Sequence, residues 1–337
     1  MFLEKEGKLI YSYDGETVCI EAWGKDALRV RATKNRSFTG RDWALEAKDA
    51  HAGEVEIFED PSAKGGAFAN MYEGTDTSYG KITNGKLHAV IDSGSVITFY
   101  HEDGRVLLKE HFRRLRDEES MPLNIMGREY SNGVGDNFRI VARFVARKGE
   151  KIFGMGQYQQ HELDLKGCML ELAQRNSQVS VPFYLSSIGY GFLWNNPGVG
   201  QVMFANNGTE WVTESGKEID YLVIAGDTPA EIEENYMTLT GKPPMMPEYG
   251  MGFWQCKLRY WNQEQLLSVA RKYKELGVPL DVIVVDFFHW TKQGEFKFDP
   301  KYWPDVPGMC RELKEMGIQV VVSVWPTVDI YSENFEE

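Results

Sequence analysis

Through roughly the first two thirds of the chain, hydrophobic and polar residues alternate in short runs. TVCIEAW (17–23), LRVRAT (28–33), KLHAVID (86–92) and SVITFYH (95–101) each place apolar side chains at every second position, the period of a strand with one buried face. Turn signals separate them at Tyr13-Asp14-Gly15, Asn84-Gly85, Asp92-Ser93-Gly94 and Glu102-Asp103-Gly104. Strand pairs joined this way predict antiparallel hairpins and a β-sandwich. HFRRLRDEES (111–120) is dense in charge and is expected to be solvated. The stretch beginning DTPAEIEENY predicts a helix from Asp227 to Leu239, with Thr228 as N-cap and Pro229 in its first turn.

A break follows. GKPPMMPEYG (241–250) holds three prolines and two glycines and reads as a linker, because proline restricts both itself and the residue before it. Beyond the linker the rhythm changes. GMGFWQC (250–256) predicts a strand. NQEQLLSVARKYKELG predicts a helix with Leu266, Leu267, Ala270, Tyr273 and Leu276 on one face and Gly277 as its stop. VPLDVIVVDFF (278–288) is apolar without alternation, as in a parallel strand covered on both sides. Pro307 to Met316 predicts a second helix stopped by Gly317, and IQVVVSVW (318–325) a third strand. This βαβαβ order belongs to a parallel α/β domain. The expected organisation is a β-sandwich over 1–240, a linker at 241–250 and an α/β domain over 251–337. A complete eightfold barrel needs about 250 residues, so the last segment suffices for about three βα units of about 30 residues each.

In such a domain chemistry gathers where strands end and loops begin. Asp286 follows the apolar run VIVV, Trp325 follows VVVSV, and Lys257 and Arg259 follow GMGFWQC. A carboxylate directly after a buried strand is costly without partners. It either accepts hydrogen bonds from ligand hydroxyls or pairs with Lys257 or Arg259. Phe287, Phe288, His289 and Trp290 come next. An aromatic cluster beside a carboxylate suits a sugar, and it suits an apolar lid equally. His289 has no second ligand in register, so it reads as a polar loop residue rather than a metal ligand. Asp299 and Asp305 flank a helix start, where capping explains them. GMGQYQQHELDLKG (154–167) reads as a polar loop able to reach a neighbouring site, or as plain surface. Its G-x-G lacks the context of a dinucleotide fold, and nucleophile-elbow, zinc-protease and phosphate-loop motifs are absent from the chain.

Composition narrows the classes. The 337 residues carry a formal net charge of -13, which argues against nucleic acid and against an anionic membrane surface. Nine Trp and sixteen Tyr are many, and core packing accounts for them at this stage. Four separated cysteines form no C-x-x-C pair, so neither a disulfide framework nor a zinc site is expected. The N-terminus lacks an apolar signal core, which predicts a cytoplasmic protein. No metal or cofactor is expected, and a homo-oligomer is left open.

Taken together, GMGFWQCKLRYWNQEQLL, VIVVDFFHWTKQGEFKFDPKYWPDVPGM and VSVWPTVDIYSENF resemble the first three barrel units of glycoside hydrolase family 31. FGMGQYQQHELDLKG, QRNSQVSVPFYLSS and GYGFLWNNPG resemble that family's N-terminal β-sandwich. The resemblance covers most of residues 150–337, and the first 150 match only in being β-rich. It implies a β-sandwich followed by the first part of a (β/α)8 barrel. It further implies a retaining α-glycosidase of the bacterial α-xylosidase or α-glucosidase kind, working by double displacement through two carboxylates. By the resemblance both carboxylates lie beyond Glu337, so none of this chain's aspartates is catalytic and the chain alone is expected to be inactive. What carries over is half of a sugar pocket. Asp286 matches the aspartate that binds hydroxyls of the terminal sugar, Phe287 and Phe288 the pair shaping the pocket, and Trp325 an aromatic platform. Gln157 and Gln159 lie in the insert that approaches the rim. The implied ligand is a small neutral oligosaccharide or glycoside. VVDFFHW and VWPTVD look more like the α-xylosidase branch, although Phe287 stands where some xylose pockets carry Cys. A carbohydrate-binding or interaction protein without catalysis is the alternative of another class.

Overall fold

A computed structural model describes residues 1–46, 49–61, 76–111 and 125–336. Most of the charged stretch at 111–120 lies outside them. The chain divides into two compact units, Met1–Pro243 and Pro244–Glu337.

The described residues of the first unit form nineteen strands. In chain order they are β1 (Phe2–Lys5), β2 (Lys8–Tyr13), β3 (Glu16–Trp23), β4 (Ala27–Thr33), β5 (Ala50–His51), β6 (Glu54–Phe58), β7 (Tyr79–Asn84), β8 (Leu87–Asp92), β9 (Ile97–His101) and β10 (Val106–Lys109). They continue with β11 (Arg128–Asn132), β12 (Phe138–Phe144), β13 (Ile152–Gln157), β14 (Met169–Leu172), β15 (Val179–Ser186), β16 (Tyr190–Trp194), β17 (Gly200–Phe204), β18 (Thr209–Gly216) and β19 (Ile219–Ala225). A nine-stranded sheet runs β1-β2-β3-β4-β19-β16-β15-β13, with β5 added to β3. Two five-stranded sheets run β10-β9-β8-β7-β6 and β11-β12-β18-β17-β14. One core joins all three: Leu9, Ile20, Phe192 and Tyr221 of the large sheet meet Ile82, Leu87 and Phe99 of one small sheet and Ile140, Phe144 and Trp211 of the other.

The period-2 pattern explains how β19 is buried along its whole length. Ile219, Tyr221, Val223 and Ala225 face the shared core. Leu222 and Ile224 face the opposite side, where helix α1 (Pro229–Thr240) covers them with Ile232 and Leu239. Thr228 caps α1 as expected, its hydroxyl accepting from the Glu231 amide at 3.2 Å. The tight turn between β2 and β3 has positive φ at both Asp14 and Gly15, as a two-residue hairpin of the favoured hand requires.

Two buried arginines in this unit are paired with carboxylates. Arg29 and Asp220 are 0% and 1% exposed. Arg29 Nε and Nη2 donate to the two Asp220 oxygens at 2.9 and 2.6 Å, Nη1 donates to Asp42 at 2.7 Å, and Asn195 Nδ2 donates to Asp220 at 2.9 Å. Loss of hydration nevertheless pushes the Asp220 carboxyl up to about 6. A second network joins Arg128 to Glu110 and to both Glu16 oxygens.

The second unit holds three parallel strands, β20 (Trp254–Cys256), β21 (Val282–Val285) and β22 (Gln319–Val322), paired in that order. Helix α2 (Gln263–Glu275) connects the first two and α3 (Val306–Glu315) the last two. Leu266, Leu267 and Ala270 of α2 and Met309 and Leu313 of α3 pack on Ile283 and Val285. Leu276 departs from the expectation: α2 ends at Glu275, Leu276 sits at its C-cap, and the side chain is 62% exposed. The middle strand is also shorter than the apolar run 278–288, because the chain leaves the ladder at Asp286. Segment 241–250 includes the start of a 3-10 turn, Glu248–Met251.

Candidate sugar-binding site

The site begins with the ladder that carries it. Ser323 N donates to Val285 O at 2.9 Å, prolonging the β21–β22 pairing past Val322. Asp286 therefore leaves the sheet level with the end of the third strand, and Trp325 follows two residues beyond Ser323. The loops after these strands are tied together: Asp329 N donates to Gln293 O at 3.0 Å and Asn334 Nδ2 to Gly294 O at 2.6 Å. Gly294 has φ +87, and a Cβ there would lie 2.7 Å from Val328, so this contact requires glycine.

Asp286 is half-buried. Its Oδ1 accepts from the Phe287 amide at 2.8 Å, and the Cys256 thiol lies 3.9 Å from Oδ2. Burial and the nearby Asp286 charge raise the Cys256 thiol above its ordinary value. Among the described residues no lysine or arginine forms an ion pair with Asp286, so the pairing with Lys257 or Arg259 considered from the sequence does not form. One carboxylate oxygen thus remains with only a weak thiol donor, which suits acceptance from a ligand hydroxyl.

The aromatics collect beside it. Phe287 and Trp325 stack at 5.5 Å between centroids and 12° between planes. Phe288 lies 4.5 Å from Phe287 and 6.3 Å from Trp325, and Trp290 6.0 Å from Trp325. Phe288 has φ +61 and Trp325 is 40% exposed. A left-handed backbone at a bulky residue costs of order 1–3 kcal/mol and is tolerated where the surroundings hold it, often at ligand clamps.

The sequence did not foresee the burial of His289 or the stacking of Arg259. His289 is a loop residue as expected, but it is only 2% exposed, between the rings of Trp290 and Phe298 at 4.7 and 4.8 Å. Its Nδ1 lies 3.2 Å from Asp286 O, and burial lowers its pKa. Trp290 joins the aromatic cluster, as its place after Phe288 and His289 suggested. Arg259 stacks on Trp261 at 3.8 Å and over Phe288 at 5.2 Å. The R-x-W spacing at 259–261 was the available signal. Asp305 caps α3 through Gly308 N at 2.9 Å, and Asp299 accepts from Lys301 N at 2.9 Å in a local turn.

Gln157 and Gln159 belong to the first unit and both are exposed. The segment 154–167 is only partly a loop, since β13 runs through Gln157. Gly154 and Gly156 have φ of +114 and +93 around a register shift opposite β15. A Cβ at Gly156 would lie 2.1 Å from Val179 O. The G-x-G is a β-bulge that only glycine fits. Among the described residues no group of three or more His, Cys, Asp or Glu is placed to hold a metal, and no helix is long and apolar enough to cross a membrane.

This geometry coincides with known proteins. Residues 17–202 match the glycosyl hydrolase 31 N-terminal galactose mutarotase-like domain, and residues 243–337 the glycosyl hydrolases family 31 TIM-barrel domain. A protein of Pseudescherichia vulneris named as an uncharacterized family 31 glucosidase, ORF2, is 42% identical over 99% of this chain and 62% of its own length. An α-xylosidase of Saccharolobus solfataricus is 36% identical over 59% of this chain and 29% of its own. A crystal structure of a GH31 α-xylosidase from a soil metagenome, complexed with xylose, superposes with a TM-score of 0.86 at 44% identity, covering 100% of this chain and 48% of that one. The chain thus spans less than two thirds of the length of these relatives. With its β-sandwich and the opening strands of a TIM barrel in matching order, the chain belongs to glycoside hydrolase family 31.

Proposed function

We propose that the protein containing this chain is a retaining α-glycosidase that removes terminal α-linked xylose, and that this chain supplies the part of the pocket gripping the terminal sugar. The observation that carries the reading is the Asp286 carboxylate at a strand end, without an ion-pair partner among the described residues, beside the parallel Phe287–Trp325 stack. A carboxylate orients hydroxyls and an aromatic face takes the apolar side of a pyranose. Phe287 and Phe288 add bulk next to that carboxylate. A pentose lacks the exocyclic hydroxymethyl group, so a pocket narrowed there favours xylose. Two relatives named as α-xylosidases support the same choice. None of the chain's aspartates is assigned as nucleophile or acid/base, and residues 1–337 alone are proposed to be inactive. Gln157 and Gln159 are proposed as rim contacts, and the cytoplasm as the site of action.

The second reading is an α-glucosidase, favoured by the relative that matches nearly the whole chain and is named a glucosidase. The test is kcat/KM for an aryl α-xyloside and the matching aryl α-glucoside, measured on the protein at its relatives' length. An apolar wall distinguishes one small group by about 1–3 kcal/mol, so a preference for xylose of about tenfold or more is expected. Equal values or a preference for glucose would select the second reading. Turnover by residues 1–337 alone would overturn the assignment of catalysis outside this chain.

A further inference from the structure

The first unit contains a half-open cleft of about 750 Å³ with a mixed polar and apolar lining in the loop 34–45 region, bordered by Ser37, Phe38, Trp43, Asn137 and Asn196. Trp43 is 45% exposed and has φ +53, an unusual backbone for a bulky side chain that buries little. The flanking residues hold it there. Asp42 is bound to the buried Arg29 at 2.7 Å, and Arg29 Nη2 also donates to Arg41 O at 2.9 Å. Asn195 Nδ2 donates to Asp42 O at 3.1 Å, and Ala44 N donates to Asn195 Oδ1 at 3.2 Å. Upstream, Thr39 donates to Glu218 through both its amide and its hydroxyl at 2.8 Å. A buried charged network therefore fixes, on both sides, a tryptophan that contributes little to the core. The Arg41 guanidinium lies 5.1 Å from the centre of its ring.

The acidic groups of the lining are already committed: Asp136 to Lys217 at 2.7 Å, Glu218 to Thr39 and Asp220 to Arg29. Among the described residues the side chains of Ser37 and Asn137 make no hydrogen bond within the protein. Arg36 and Arg41 also line the cleft, so the ligand this chemistry suits is hydroxyl-rich, has one apolar face and is not a cation.

We infer that this cleft is a second, non-catalytic carbohydrate subsite, in which Trp43 stacks on a pyranose ring and Ser37 and Asn137 bond its hydroxyls. It extends the reading given above, since the ligand class is the same, but it lies in the other unit and uses none of the residues around Asp286. A held aromatic platform saves the ordering cost that a mobile side chain would incur on binding.

The test is calorimetric titration of residues 1–337 with isoprimeverose, the α-xylosyl-glucose disaccharide, using the parent chain and Trp43→Ala, Asn137→Ala and Asp286→Ala. Trp43→Ala is expected to weaken binding at one site about tenfold, with Asn137→Ala acting in the same direction, while Asp286→Ala leaves that site unchanged. Circular dichroism and the thermal midpoint confirm that each variant is folded. Asn137→Ala, which leaves the Trp43 clamp intact, keeps the test valid if Trp43→Ala unfolds. Parent-like titration of both Trp43→Ala and Asn137→Ala would overturn the inference, as would loss of all binding in Asp286→Ala. Absence of any binding by the parent would also overturn it. The glycosidase reading would survive each of these outcomes, because it is judged on turnover by the longer protein.

Discussion

The buried arginines of the sandwich and the strand-end aspartate of the parallel unit stand in opposite electrostatic settings. In the sandwich, Arg29 sits with Asp220 and Asp42, and Arg128 sits with Glu110 and Glu16. In the parallel unit, Asp286 at its strand end has no ion pair among the described residues, and Arg259 rests on two aromatic faces. Where strands turn both faces into packing, buried charge must be neutralised within the fold, since an unpaired buried ion costs several kcal/mol. Where strand ends open toward a ligand, an unpaired carboxylate keeps its hydrogen-bonding capacity for that ligand.

The largest expected effect tests the structural side of this contrast. Arg29→Ala leaves Asp220 buried without its counter-ion and should destabilise the first unit by about 3–5 kcal/mol, read as a shift in the urea midpoint. A loss below about 1 kcal/mol would show that the pair is not needed to neutralise that site. The converse variant is Asp286→Ala. In the longer protein it should cost about 2–4 kcal/mol in kcat/KM, through loss of a charge-assisted bond to a sugar hydroxyl. Its effect on stability should stay within about 0.5 kcal/mol. Large destabilisation with normal catalysis would erase the distinction between the two units.

Gly156→Ala addresses the bulge. The substitution brings a Cβ to 2.1 Å from Val179 O at a φ of +93, and a cost of about 1–3 kcal/mol is expected. Unchanged thermal unfolding would mean that the bulge relaxes without strain. The smallest effect concerns His289. Burial holds its folded pKa below the ordinary histidine value, so between the two values the unfolded chain binds more protons than the folded one. Its contribution to stability is therefore complete above the unfolded pKa, near 6.5, and is lost as pH falls through the folded value. His289→Gln should flatten the stability profile of the second unit over that window. A profile unchanged from the parent would place the acid sensitivity elsewhere.

The positions of Asp286 and Trp325 just past strand ends were legible because an apolar run that ends in a polar or aromatic residue marks a strand end. The burial of His289 was not legible. Nothing local distinguishes a buried imidazole from an exposed one; Trp290 and Phe298, which enclose it, arrive by a loop whose path depends on Gly294 and Val328. Leu276 failed for a smaller reason, since helical periodicity does not reveal that the helix has already ended.

The sequence alone determined the alternation that makes strands of 17–23 and 86–92, the caps at Thr228 and Asp305, and the change from period 2 to βαβ order after the proline-rich segment. These follow from local sterics and from the side-chain period of each element, while the family was read from the resemblance of whole motifs. Only the tertiary structure decided that Asp286 has no basic partner among the described residues, that Phe287 stacks on Trp325, and that Gly154 and Gly156 form a bulge. It also decided that Arg29 clamps the backbone around an exposed Trp43. Each of these joins residues that are distant in sequence or depends on where one strand's register meets another, and neither propensity nor spacing encodes that distance.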